Sequence, residues 1–142
     1  MSELISLFKK LPIELHNNIL TYTLKPQTKE LLEDIKSFNK IKEEIIEIYK
    51  NIFDDEYDRT CWLNNDIVRY MNEDIATMNG YTEFHYKIFK RLFKLSSKSN
   101  KFILKNTQII SQNPMSDFNI RFGLLTNQER INFKKFIHDN IV

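Results

Sequence analysis

Two glycines among 142 residues leave this chain almost no backbone that takes left-handed conformations freely. That excludes a glycine-rich loop cradling a phosphate and a barrel built on many tight turns. A single cysteine excludes an intramolecular disulfide framework and a multi-cysteine zinc site. No run of 18 apolar residues occurs, so no transmembrane helix is expected. The first ten residues lack a basic stretch followed by an apolar one. Gly does not follow Met1, and no prenylation cysteine stands near the end. Neither a signal peptide nor a lipid anchor is therefore expected, and the anticipated setting is intracellular, with Cys61 reduced.

What is abundant is isoleucine (19), lysine (16) and asparagine (15), against one alanine. These three residues have AT-rich codons, so much of the excess reflects the genome rather than function. Hydrophobic residues make up 42% of the chain and 18 are aromatic, which furnishes a core and argues against global disorder. The length suits a single domain.

Helical periodicity dominates. Pro12 suits a first helical position, and Leu15, Ile19, Leu20 and Tyr22 follow at helical spacing as far as Pro26. The longest periodic stretch runs over 28–53, with Leu31, Ile35, Phe38, Ile45, Tyr49 and Ile52 on a 4-3 repeat. A bend is expected near 37–39, where Ser and Asn side chains compete for backbone hydrogen bonds. The acidic run 54–58 leads into a helix expected over about 60–78, with Leu63, Ile67, Tyr70 or Met71, and Ile75 inward and Asn79-Gly80 as its stop. Thr82 is expected to cap a further helix through about 95. Residues 101–111 fit strand or helix, and Asn113-Pro114 reads as a turn. Thr126-Asn-Gln-Glu129 has the form of a capping box and opens a last helix carrying Phe133, Phe136, Ile137 and Ile141. The expected fold is all-α, one globular domain of five to seven helices over 1–142. A short strand or irregular segment is left open around 101–125.

Chemistry-bearing motifs are sparse. His16, His85 and His138 each lack a second His or Cys at ligand spacing. His85 stands between Phe84 and Tyr86, a setting for a structural histidine, and Cys61 beside Trp62 reads as a small buried thiol next to a large buried aromatic. No phosphate loop, nucleophile elbow or dinucleotide turn is present. No catalytic residue, metal ligand or cofactor is assigned, and the chain is read as non-enzymatic.

Charge is segregated. Residues 30–83 hold six basic and fourteen acidic side chains. Residues 84–116 hold Lys87, Lys90, Arg91, Lys94, Lys98, Lys101 and Lys105 and no acid. Interleaved with Phe84, Tyr86, Phe89, Phe93 and Phe102, these cations suit nucleic acid, with lysines on phosphates and aromatics on bases. The plainer reading puts the aromatics in the core and the lysines on a solvated face, or pairs them with the acidic stretch.

Leu11-Pro12-Ile13-Glu14-Leu15, followed by Ile19-Leu20 and Tyr22, resembles the opening of the F-box over about twelve residues. The resemblance implies an F-box-like portion over 11–50 that docks on a Skp1-like adaptor of cullin ubiquitin ligases. Leu11, Pro12, Leu15, Ile19 and Leu20 would be its anchors. The physics is compatible: a short amphipathic helix opened by proline presents an apolar stripe to a partner groove. More widely, four runs are similar to an uncharacterised family of small proteins of large DNA viruses of amoebae. They are Pro26-Gln27, Leu31-Leu32-Glu33-Asp34-Ile35, Trp62-Leu63-Asn64-Asn65-Asp66, and the segment from Gly123 to Arg130. That likeness implies a place in the host cytoplasm or nucleus. The functional expectation is a non-catalytic protein–protein interaction module. Its alternatives are a nucleic-acid-binding protein using 84–105, or a virion structural protein. Homo-oligomerisation through an exposed apolar stripe is left open.

Overall fold

The computed structural model describes residues 10, 12, 13, 15, 27–107 and 113–141. Six α-helices run through them, with no strand among the described residues: α1 Lys29–Lys50, α2 Glu56–Met71, α3 Glu83–Phe89, α4 Asn100–Thr107, α5 Pro114–Leu124 and α6 Asn127–Ile141. Short 3-10 turns occupy Thr77–Asn79 and Phe93–Leu95. The fold is the all-α one expected.

Two compact units divide the chain, Met1–Glu33 and Asp34–Val142, with the boundary inside α1. In the first unit, Ile13 and Leu15 are helical, and the Leu15 N–H donates to the Pro12 carbonyl at 3.0 Å. The Thr28 hydroxyl accepts from the Leu31 N–H at 3.3 Å, satisfying one of the open donors where α1 begins.

In the second unit, α1 continues unbroken past 37–39, against the expected bend. The Ser37 hydroxyl donates to the Asn127 side chain and so does not compete for the helix's own carbonyls. Ile41, Ile45 and Tyr49 form the buried stripe of α1. Its wider apolar face is only partly used, since Ile35 exposes 45%, and Ile52 beyond its end exposes 44%.

α2 is shifted towards the N-terminus relative to expectation. Asp55 caps it, its carboxylate accepting from the Asp58 N–H at 3.0 Å. The helix stops at Met71 because Glu73 and Asp74 take left-handed backbone conformations, φ 53° and 62°. Fully buried Asn72 organises the connection to α3. Its amide donates to the Ile75 and Gly80 carbonyls at 2.7 and 3.0 Å and accepts from the Thr82 N–H at 2.8 Å. Gly80, at φ 99°, closes the 3-10 turn rather than a long helix. α3 does start at its Thr82 cap, but it ends at Phe89 instead of near 95.

The segment left open around 101–125 takes its helical alternative among the described residues. Residues 100–107 and 114–124 are helical. Asn113 does not make a turn: it caps α5, accepting from the Ser116 N–H at 3.1 Å, with Pro114 in the first turn where its missing N–H is not needed. The open question over 108–112 lies outside the described residues.

The core gathers α2 against α5, with α3 and α6 beside it. Ile45, Ile67, Met71, Ile88, Phe118, Phe122, Phe133 and Ile137 are fully buried. Burial of each such side chain stabilises by about 1.5–3 kcal/mol. The capping box forms as the sequence predicts. The Glu129 N–H donates to the Thr126 hydroxyl at 3.3 Å, and the Thr126 N–H donates to the Glu129 carboxylate at 2.8 Å.

Candidate functional site

The basic segment is built by three short elements. α3 carries Lys87 and ends before Lys90 and Arg91. The 3-10 turn carries Phe93 and Lys94, and α4 carries Lys101, Phe102 and Lys105. Its aromatics divide. Phe89 is buried, and Phe84 and Tyr86 pack against the core, as the plainer reading has it. Phe93 is 93% exposed and Phe102 43% exposed. The Lys98 ammonium stands 5.3 Å from the Phe102 ring centre, within cation–π range.

The cations divide too. Arg91 forms an ion pair with Glu129 and donates to the Leu124 carbonyl at 2.7 Å. The pair holds the Glu129 carboxyl down at about 2, with the Thr126 N–H assisting, and raises the Arg91 guanidinium. None of Lys87, Lys90, Lys94, Lys98, Lys101 and Lys105 has a carboxylate within ion-pair distance among the described residues. The acidic stretch pairs elsewhere, with Lys29, Lys50, Arg69, Arg130 and Lys134. The two opposed stretches of charge therefore do not pair with each other.

Of the N-terminal anchors, Pro12 and Leu15 are described and both are exposed, Leu15 at 45%. Neighbouring Ile13 is 66% exposed. Leu11, Ile19 and Leu20 lie outside the described residues.

His85 is buried between rings, with Tyr81 at 4.3 Å and Phe89 at 5.1 Å. Burial, helped by the Arg121 charge, pushes its imidazole down to about 4, so it stays neutral at pH 7. Cys61 is half-buried, and its neighbour is Tyr57, whose phenol is raised chiefly by hydrogen bonding with the thiol. Trp62 is a correction: it is 52% exposed and stacks on Phe53 at 5.9 Å instead of entering the core. Among the described residues, no group of three or more His, Cys, Asp or Glu is placed to hold a metal, and no helix is long and apolar enough to cross a membrane.

Besides Asn72, sequence reasoning missed two buried polar centres. The Asp66 carboxylate, raised by burial, accepts the Tyr49 hydroxyl at 2.5 Å. Arg130, 2% exposed, donates to the Phe122 and Gly123 carbonyls at 3.2 and 3.3 Å and pairs with Asp34 at 2.7 Å. The only hint of Asp66 was a carboxylate one residue before the inward Ile67. Arg130, inside a polar run, gave none. Comparison of this chain with protein-family models, curated proteins and solved structures finds no match.

Proposed function

We propose that this protein is a non-catalytic binding module that holds single-stranded nucleic acid along 87–105. One observation carries the reading: six lysines without carboxylate partners among the described residues flank, along the chain, a phenylalanine that is 93% exposed. Unpaired ammonium groups attract a phosphate backbone, and exposed rings stack on bases of any sequence. A single strand fits better than a duplex, because only unstacked bases offer Phe93 and Phe102 a face. The test is fluorescence anisotropy with labelled single-stranded and duplex oligonucleotides. The single strand is expected to bind more tightly. Phe93→Ser and the combined change Lys94→Glu, Lys98→Glu and Lys101→Glu are expected to weaken it by tenfold or more while leaving the melting temperature unchanged, at about 1.4 kcal/mol per tenfold. Binding that persists in the charge-reversed variant refutes the reading.

A second reading has its own observation, the exposed, helical Ile13 and Leu15 in the F-box-like run. On this reading the N-terminal helix docks on a cullin-ligase adaptor of the Skp1 kind. Leu15→Asp is expected to abolish co-purification with the adaptor, and co-purification that survives it removes the reading.

A further inference from the structure

Away from the basic segment, three aromatic rings and two carboxylates line an open cleft of about 440 Å³. Tyr70, near the end of α2, meets Phe84 of α3 edge-on, with centroids 6.4 Å apart at 83°. It meets Phe136 of α6 at 5.7 Å and 57°. All three rings contribute to the lining of the cleft. The Tyr70 hydroxyl is spent on the Glu129 carbonyl at 3.0 Å, so the ring contributes to the cleft as apolar, π-rich surface.

The charges at the rim are unequal. Asp74 is committed to Arg69, whose Nε donates to it at 2.8 Å. Arg69, so tied, holds its guanidinium 5.3 Å from the centre of Phe136, and this aromatic wall already carries one cation of the protein's own. The Glu73 carboxylate has no hydrogen-bond or ion-pair partner among the described residues. Asn140, whose amide donates to the Phe136 carbonyl, completes the lining. The charge left over is negative, on a surface made mainly of rings.

We infer that this cleft binds a quaternary ammonium group. Such a cation spreads its charge over methyl groups, loses little on leaving water, and is attracted by ring faces. Glu73 supplies the counter-charge. A primary ammonium is served less well, because it needs several hydrogen-bond acceptors that the ring walls lack. The volume lies in the lower part of the range for small-ligand sites, as a group of this size requires. Two sources share the chemistry: a choline-type small molecule and a trimethylated lysine on a protein tail. The inference does not depend on the nucleic-acid surface.

The experiment is calorimetric titration of the full chain with choline, with its uncharged isostere 3,3-dimethylbutanol, and with matched peptides carrying lysine or trimethyl-lysine. Choline and the trimethylated peptide are expected to bind at least about tenfold more tightly than the isostere and the unmodified peptide. Tighter binding of choline than of the trimethylated peptide assigns a small-molecule ligand, and the reverse assigns a protein tail. Phe84→Leu is expected to erase the preference for the cation. Exposed Glu73→Gln, which removes no hydrogen bond or ion pair of the described residues, is expected to weaken both cations about fivefold. Equal binding of choline and its isostere overturns the inference. So does binding of neither cation, or cation binding unchanged in Glu73→Gln.

Discussion

At the scale of single residues, the most consequential side chains are polar ones buried where the sequence shows no reason for them. Tyr49 and Asp66 form one unit between α1 and α2, and the Arg69 guanidinium adds a 3.6 Å contact from the surface. Burial raises both ionisable groups, so the hydroxyl stays protonated and donates to the carboxylate. Tyr49→Phe keeps the ring packing and strands the Asp66 oxygen. The expected loss is about 1–3 kcal/mol, read as a fall in the denaturant midpoint at unchanged slope. The pattern of apolar residues placed Tyr49 on the buried face correctly. It could not show the hydroxyl's partner, which stands 17 positions away on another helix.

Helix ends govern the scale of elements. α1, α2, α3, α5 and α6 begin where local chemistry says they should, at Thr28, Asp55, Thr82, Asn113 and Thr126. Where α5 stops depended on tertiary partners. α5 ends against two arginines: Arg91 holds the Leu124 carbonyl, and Arg130 holds those of Phe122 and Gly123. Positive charge at these carbonyls answers the negative end of the helix dipole. Each arginine is in turn held by a carboxylate, Glu129 or Asp34. The clamp at Glu129 makes stability depend on acid. Its carboxyl is held at about 2 in the folded chain, below the usual 4.5. A lowered carboxyl stabilises the fold at pH above the unfolded value, and that contribution fades as pH falls from about 4.5 towards about 2. In Glu129→Gln this part of the decline is expected to be absent, with lower stability at pH 6 and a smaller difference from wild type near pH 2. Denaturant melts at stepped pH measure it.

For the whole molecule, charge placement decides more than net charge. A total of +2 conceals a basic segment that the acidic stretch does not pair with. If six lysines contact phosphates of a single strand, the logarithm of affinity falls against the logarithm of salt with a slope of roughly −4. A slope near zero for the oligonucleotides contradicts that use of the surface.

Sequence alone determined that this chain is helical, where α1, α3 and α6 start, and part of the inward apolar stripe, since Leu31, Ile35, Ile52 and Ile75 stay 44–45% exposed. These follow from periodicity and from side chains acting on backbone groups within four residues. It also marked the basic segment, because charge is counted without coordinates. The tertiary structure decided the helix ends at Met71 and Leu124, the exposure of Phe93 and Trp62, and the burial of Arg130 and Asp66. It also decided which cations remain unpaired. The end at Leu124, the burial of Arg130 and Asp66 and the pairing of Arg91 depend on groups distant in the chain that only folding brings together.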